Sequence, residues 1–194
     1  PFPQNYLKRL LILKPTFMKK TLPALAVACL FLVFHVQAQT TRTAGTYAAL
    51  TSAITASSDG DIINITNDIV ISAEIASNKT LTFNGNGFTV TVPVTGLDES
   101  GKFNSSPSNF RVFTLSESGK TTTVNNMKIS GGYITAGSGG AISVAAGHTL
   151  KINNSAISNS RAGSTGGGGI DNNGRFTSQV VRSCVMQVIM AADF

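Results

Sequence analysis

The stretch Thr149-Leu150-Lys151-Ile152-Asn153-Asn154 decides the fold, because it repeats the pattern of Thr121-Thr122-Thr123-Val124-Asn125-Asn126 after an interval of 28 residues. A fixed period of this length is typical of repeat proteins, in which each copy forms one structural unit. The register continues beyond these stretches in three further pairs: Ile129 with Ile157, Gly139-Gly140 with Gly167-Gly168, and Ile142 with Ile170. One period therefore fits one turn of a solenoid built from two or three short strands.

An earlier copy begins at Thr80 and continues through Phe83 to Phe88, which takes the place of the second apolar position. It precedes the copy at Thr121 by 41 residues, which exceeds the period by 13. The polar stretch 95–109 is predicted to hold the additional residues as a loop.

A later copy is predicted from Thr177 onward, with Val180 in the place of Ile152. The next Gly-Gly pair is due at 195, one position after Phe194. We therefore expect this chain to be a truncated part of a longer solenoid. A last copy with no further copy stacked on it would leave apolar side chains and strand edges exposed to solvent. We therefore expect the chain to self-associate through this copy.

Within each copy, residue types alternate as they do in a strand with one buried face. Leu150 and Ile152 are apolar, whereas Thr149 and Lys151 are polar. Stacking of the copies then aligns equivalent apolar positions, each of which contributes about 1.5–3 kcal/mol when it is fully covered. The predicted buried column consists of Phe83, Val124, Ile152 and Val180.

Asparagine and glycine follow the strands directly, at Asn153-Asn154 and at Asn84-Gly85. Both residue types tolerate the left-handed backbone of a sharp corner. The aligned asparagines at 125 and 153, and at 126 and 154, are predicted to hydrogen-bond between copies as ladders.

Two more strands are predicted in residues 61–71, separated by a turn at Asn67-Asp68. Ahead of them, residues 46–56 have the pattern of a short helix, with Thr46 as the N-cap. A solenoid needs a cap over its apolar end. Residues 39–60 are therefore predicted to form an N-terminal capping segment, and residues 61–194 the repeat domain.

Two short motifs of this sequence resemble those of known repeat proteins. Gly139-Gly140-Ala141-Ile142 and Gly167-Gly168-Gly169-Ile170 resemble the Gly-Gly-aliphatic motif of chlamydial polymorphic outer membrane protein repeats, and Phe83-Asn84-Gly85-Asn86 resembles their Phe-x-x-Asn motif. The wider pattern is similar to pectin-lyase-like β-helices of secreted bacterial proteins. The resemblance covers roughly residues 45–185, although the later copies carry Ile-Asn-Asn instead of Phe-x-x-Asn. It implies an all-β fold, a right-handed single-stranded parallel β-helix, and an exported or surface setting, but no particular activity.

The first 38 residues are predicted to lie outside the mature domain. A short positive segment, Met18-Lys19-Lys20, precedes the apolar run 21–36, and Val36-Gln37-Ala38 ends with the small side chains that signal peptidase accepts. Residues 18–38 are therefore predicted to be a signal peptide cleaved after Ala38, and residues 1–17 an upstream extension from a mis-assigned start.

Two alternatives to a cleaved signal peptide concern the same apolar run. Ala26-Val27-Ala28-Cys29 also resembles a lipobox, which would anchor the protein through a lipidated Cys29. A membrane-spanning helix needs about 20 apolar residues, and Pro23 and His35 interrupt this run. We therefore expect no transmembrane segment in the mature chain, and a secreted or outer-surface location.

The charge of the mature part argues against a nucleic-acid partner. The whole chain has a formal net charge of +6, but from Gln39 onward ten basic residues face nine acidic ones. A balance this close to neutral is too small for a phosphate-binding surface.

No catalytic set is apparent, because residues 118–170 contain no Asp or Glu. A glycosidase needs two carboxylates that face one bond. Asp59, Asp61 and Asp68 cluster loosely, but Asp59-Gly60-Asp61 is predicted to be a turn rather than a calcium site. Gly166-Gly167-Gly168-Gly169-Ile170-Asp171 matches the opening of a calcium-binding nonapeptide, yet Asn173 stands where an apolar residue is required, which favours a tight glycine turn.

His148 and Cys184 are the remaining candidates for chemistry. His148 has no acidic or serine partner nearby in the sequence and is predicted to be a solvated turn residue. Cys184 takes the place of Ala156 in the previous copy, which indicates packing rather than nucleophilic chemistry. The sequence therefore predicts no catalytic residues, no cofactor and no metal site.

The sequence is compatible with three functions. The first is a non-enzymatic, adhesin-like surface module that contacts extracellular polysaccharide or a host or cell-surface ligand. The second is a fragment of a polysaccharide lyase or glycoside hydrolase whose catalytic turns lie beyond the chain end. The third is ice binding, suggested by Thr-x-Thr pairs such as Thr121 and Thr123, although Lys151 interrupts their alignment.

Overall fold

The computed structural model describes residues 38–93, 109–163 and 167–183. Residues 1–37 of the predicted N-terminal extension and signal peptide, Cys184, and residues 95–108 of the predicted loop lie outside these ranges. Within them, helix α1 spans Tyr47–Ala56. The strands β1 to β15 are, in chain order, Thr41–Ala44, Ile62–Ile65, Ile69–Val70, Ile75–Ser77, Leu81–Asn84, Thr89–Thr91, Phe113–Leu115, Thr121–Asn125, Lys128–Ser130, Tyr133–Ile134, Ile142–Val144, Thr149–Ser158, Arg161–Ala162, Ile170–Asn172 and Arg175–Ser183.

The strands form three sheets, and every strand pairing among the described residues is parallel. The first sheet has the order β1-β2-β5-β8-β12-β9-β6-β3, with β15 also paired to β12. The second has the order β14-β11-β7-β4, and the third consists of β10 and β13. The predicted all-β class with parallel sheets is thus confirmed.

Paired residues are 28 positions apart where β12 pairs with β8 and β9 and where β14 pairs with β11, which is the period found in the sequence. Thr121 pairs with Thr149, as the first quoted positions predict. The same interval separates Ile129 from Ile157 and Ile142 from Ile170, which are also partners. Parallel pairing of consecutive copies places like residues side by side, so the repeat has a direct physical cause.

Three of the four residues predicted to form a buried column do so. Phe83 pairs with Val124, Val124 pairs with Ile152, and all three are at most 1% exposed. The ring of Phe83 also contacts that of Phe113 in the second sheet, with centroids 5.5 Å apart in an edge-on arrangement. The column therefore links the two larger sheets through one apolar core.

The fourth member was predicted wrongly, because Ile152 pairs with Ser178 rather than with Val180. Two residues, Asn173 and Gly174, connect β14 to β15, whereas four residues, 145–148, connect β11 to β12. This shorter turn advances the register by two positions. A Cβ atom on Gly174 would overlap the carbonyl oxygen of His148, so this close approach requires glycine.

Phe88 was also assigned to the wrong place in the earlier copy. Val90 pairs with Ile129 and is fully buried, while Phe88 is only partly buried. The corner 85–88 between β5 and β6 is two residues longer than the corner 126–127 between β8 and β9, which shifts the strand that follows.

The corner at Asn153-Asn154 has the predicted left-handed backbone, since Asn154 has φ of 46°, as does Asn126 in the previous copy. The prediction was wrong for Asn84-Gly85, because the left-handed residues of that corner are Asn86 and Gly87, with φ of 53° and 86°. Gly85 is needed for a different reason, since a Cβ atom there would overlap Met127 of the next copy.

The predicted helix is confirmed with its cap. The side chain of Thr46 accepts a hydrogen bond from the backbone N–H of Ala49 at 3.2 Å. Leu50 and Ile54 are buried, and α1 packs against β1 and β2 at the edge of the first sheet. The predicted strands in 61–71 are likewise present as β2 and β3.

Candidate functional site

The outward side chains of the first sheet form a polar surface that we call the threonine–asparagine face. They alternate with the buried side chains on β5, β8 and the first half of β12, because successive residues of a strand point to opposite sides. The face consists of Thr82, Asn84, Thr121, Thr123, Asn125, Thr149, Lys151 and Asn153.

The register aligns these side chains in rows that cross the strands. Thr82, Thr123 and Lys151 form one row, since each pairs with the next. Adjacent members are separated by one strand spacing, about 4.8 Å. Strand β15 extends the same surface with Arg175, the partner of Thr149. Lys151 interrupts the threonine row, as the sequence predicts.

A ladder of asparagine amides borders these rows. Asn153 Nδ2 donates to Asn125 Oδ1 at 2.9 Å, and Asn154 Nδ2 donates to Asn126 Oδ1 at 3.4 Å, which confirms both predicted ladders. The first ladder continues further than predicted, through Asn84 to Asn64, with two bonds of 3.0 Å. Each amide has two N–H groups and two lone pairs, so inner members keep capacity for an external partner.

Asn64, the member of the ladder that was not predicted, shares a local sequence feature with Asn84. Asn64 directly follows an apolar strand residue, Ile63, just as Asn84 follows Phe83. The two residues are 20 positions apart, which departs from the 28-residue period. A search for a constant interval therefore does not connect them.

Three exposed cations lie on or next to this surface. Lys151 and Arg175 belong to this surface. Lys128 lies on β9, directly after the corner 126–127. None of the three forms an ion pair with a carboxylate in the part of the chain that the structure describes. Unpaired cations at exposed positions remain available to an acidic partner.

The three clustered aspartates each bind the backbone of a neighbouring segment. Asp59-Gly60 is a turn, as predicted, with φ of +92° at Gly60. Asp59 accepts from the backbone N–H of Thr80 at 2.7 Å, and Asp68 accepts from that of Thr89 at 2.7 Å. These carboxylates therefore stabilise the contact between consecutive segments.

The hydrogen-bond donors lower the pKa values of two of these carboxyls. Lys120 donates to Asp59 at 2.6 Å, and this bond, followed by that of Thr80, lowers the pKa of Asp59. The backbone N–H groups of Ser58 and Thr40, at 2.9 and 2.8 Å, lower the pKa of Asp61. Both groups are thus held ionised by structural contacts.

His148 was predicted wrongly to be a solvated turn residue, because it is fully buried. Its Nδ1 lies 2.9 Å from the carbonyl oxygen of Glu117, which can only accept, so Nδ1 carries the proton. Its Nε2 lies 3.0 Å from the hydroxyl of Thr122, which then donates. Thr122 is an inward residue of β8 between Leu81 and Leu150, and a buried hydroxyl of this kind requires a partner.

The Thr122–His148 pair has the contacts of a nucleophile and a base, but its place in the core excludes a substrate. Both residues are 0% exposed. Burial also lowers the pKa of His148, an effect that the bond to Glu117 opposes. The pair is therefore a structural hydrogen-bond unit inside the core.

The remaining candidates give no site within the described ranges. Gly167–Gly169 form close backbone contacts, with the Gly139 N–H donating to the Gly167 carbonyl at 2.7 Å, while Gly166 lies outside the described residues, as does Cys184. No group of three or more His, Cys, Asp or Glu residues that could hold a metal ion occurs among the residues described.

A shallow cleft of about 160 Å³ lies at the corner 126–127, between Gly87, Met127, Lys128 and Ser155. Sites for small organic ligands usually measure about 300–1,000 Å³. This cleft is therefore smaller than the usual site for a small organic ligand.

Comparison with known proteins gave no match to a family model, to a curated protein or to a solved structure. None of the described helices is long and apolar enough to cross a membrane.

Proposed function

We propose that this chain is an exported or surface-bound right-handed parallel β-helix that contacts extracellular polysaccharide without catalysing a reaction. The observation that carries the proposal is the threonine–asparagine face. Its outward groups are hydroxyls, amides and a lysine, which are the groups that hydrogen-bond sugar hydroxyls and carboxylates.

The repeat supports this proposal by setting the spacing of the face. Parallel partners 28 residues apart, such as Thr121 and Thr149, arrange equivalent groups at intervals of one strand. A polysaccharide is itself a linear repeat of similar units. A row of equivalent hydrogen-bonding groups can therefore bind several sugars of one chain with similar geometry.

The charges favour an acidic polysaccharide over a neutral one. Lys151 and Arg175 are exposed on the face, and the outward residues defining the face include no carboxylate. A carboxylate or sulfate on the sugar would pair with these cations. The absence of Asp and Glu from residues 118–170 supports a binding role rather than glycoside hydrolysis, which needs two carboxylates.

The test measures binding of the full chain to a polyuronate and to a neutral glucan by titration calorimetry. Thr123→Ala and Lys151→Ala should each raise the Kd for the polyuronate by about fivefold, which corresponds to one hydrogen bond or exposed charge contact. The matched controls are Thr114→Ala, on the second sheet, and Arg161→Ala, on β13 of the third sheet. Both controls should leave the Kd unchanged.

Three results would contradict the proposal. One is the absence of binding to either polymer, and another is an equal loss in the control variants. The third is release of unsaturated or reducing sugars during incubation, if substitution of a described Asp or Arg abolishes it, since this would identify an enzyme.

A further inference from the structure

The described residues include three Asn-Gly dipeptides, at Asn84-Gly85, Asn86-Gly87 and Asn173-Gly174. This dipeptide is chemically labile, because glycine has no Cβ atom to shield its backbone nitrogen from the preceding asparagine side chain. The nitrogen can attack the side-chain amide carbon when its N–H is free and the side chain can rotate. The three sites differ both in whether the glycine N–H is hydrogen-bonded and in how firmly the asparagine side chain is held.

The first two sites are held by bonds to neighbouring copies. The N–H groups of Gly85 and Gly87 each donate at 2.7 Å to the backbone carbonyls of Asn125 and Asn126, respectively. Asn84 is also a member of the amide ladder, donating to Asn64 at 3.0 Å.

The second asparagine is fixed in the same manner. Asn86 Nδ2 donates to the carbonyl oxygen of Ile65 at 2.9 Å. Ring closure at either site therefore requires local separation of two copies of the repeat.

The third site lacks these restraints. The Gly174 N–H donates no hydrogen bond to another described residue. Asn173 is exposed, and its side-chain amide makes one long contact, 3.4 Å to Asp171 Oδ2. The backbone on either side is anchored, since the Asn173 N–H donates to Val144 and the Arg175 N–H to His148, both at 2.9 Å.

We propose that Asn173 is a site of spontaneous deamidation in the folded protein, while Asn84 and Asn86 are protected by the fold. The Gly174 nitrogen forms a bond to Cγ of Asn173, loses its proton, and the side-chain amide leaves as ammonia, which gives a five-membered succinimide. Water then opens either C–N bond of the ring and leaves an aspartate or an isoaspartate.

The modification alters the turn that sets the register of β15. An isoaspartate adds one carbon atom to the two-residue connection between β14 and β15, in which Gly174 already lies against the carbonyl oxygen of His148. Either product also places a carboxylate next to Asp171. The reaction therefore weakens the attachment of β15 to β12 progressively with time.

The test incubates the full chain at mildly alkaline pH, where a larger fraction of the attacking nitrogen is deprotonated, and maps the peptides by mass spectrometry. In the folded chain, Asn173 should gain the mass difference of NH2 replaced by OH at least about tenfold faster than Asn84 or Asn86, because those sites react only after local opening. In a urea-denatured sample, the three sites should react at similar rates.

The denatured sample separates the effect of the fold from that of the sequence. Asn173→Gln is the matched control variant, since glutamine cannot close the five-membered ring, and it should abolish the modification at this position. Equal rates for Asn173 and Asn84 in the folded chain, or no reaction at Asn173, would overturn the proposal.

Discussion

At the scale of single residues, β12 contains two neighbours with opposite environments. Ile152 is fully buried in the column with Val124, whereas Lys151 is exposed on the threonine–asparagine face. The two positions differ in burial but not in strand or copy, so they form a matched pair for testing the alternation.

We expect Ile152→Asp to lower the free energy of unfolding by more than about 3 kcal/mol, because it buries a carboxyl without a partner. Lys151→Asp changes an exposed position and should alter it by less than about 0.5 kcal/mol. Denaturant unfolding of both variants measures the difference. Equal losses would show that the inward and outward positions of β12 are assigned wrongly.

His148 makes the stability depend on pH. Its pKa in the folded protein is lowered by burial from the ordinary value of 6.5, so the unfolded chain binds this proton more readily. At pH above 6.5 the imidazole is neutral in both states and its full contribution is present. As the pH falls below that value, the unfolded state gains a proton first and the folded state loses stability.

We therefore expect the unfolding free energy to decrease between neutral pH and about pH 5, and His148→Gln to flatten this dependence. Asp59 and Asp61 act in a separate range, since their lowered pKa values give stability that is present above 3.8 and is lost as the pH falls further. Denaturant titrations at several pH values measure the slopes. The same slope in the variant would exclude His148 as the cause.

At the scale of elements, two cations fix the end of α1. The ammonium group of Lys79 donates to the carbonyl oxygens of Ile54, Thr55 and Ser57 at 2.7–2.9 Å. Arg42 Nη2 donates to that of Ala56 at 2.7 Å. The last carbonyls of a helix have no partner within the helix and carry partial negative charge, so both cations stabilise its C-terminus.

Lys79→Met should lower the unfolding free energy by about 1–2 kcal/mol, because it leaves these carbonyls without their charged donor. Lys128→Met removes an exposed lysine from β9 and should change it by less than about 0.5 kcal/mol. Thermal unfolding of both variants, with the helical signal followed by circular dichroism, compares them. A similar result for the two would mean that Lys79 does not anchor α1.

At the scale of the whole molecule, carboxylates join neighbouring segments in the N-terminal half of the described chain, whereas asparagine amides join them in both halves. In the N-terminal half, carboxylates bridge segments, as Asp59 does with Thr80 and Lys120, and Asp68 with Thr89. Residues 118–170 contain no carboxylate. There the uncharged amides of Asn125 and Asn153 bridge instead, and these do not titrate.

The sequence by itself determined the period, the alternation and the corners. These depend on local chemistry: a buried strand face needs apolar residues at every second position, and a left-handed corner needs Asn or Gly. Equal spacing of such signals, as between Thr121 and Thr149, then implies that the copies pair in register. The N-cap at Thr46 is local in the same sense, since its hydrogen bond reaches only three residues along the chain.

The tertiary structure alone decided where the period fails and which polar groups are buried. Ile152 pairs with Ser178 because the turn at Asn173-Gly174 is two residues shorter than the turn 145–148, and this turn brings Gly174 against the carbonyl oxygen of His148. His148 is buried because Thr122, 26 positions away, faces inward and needs a partner. Such contacts join residues that are distant in sequence, so no local pattern records them.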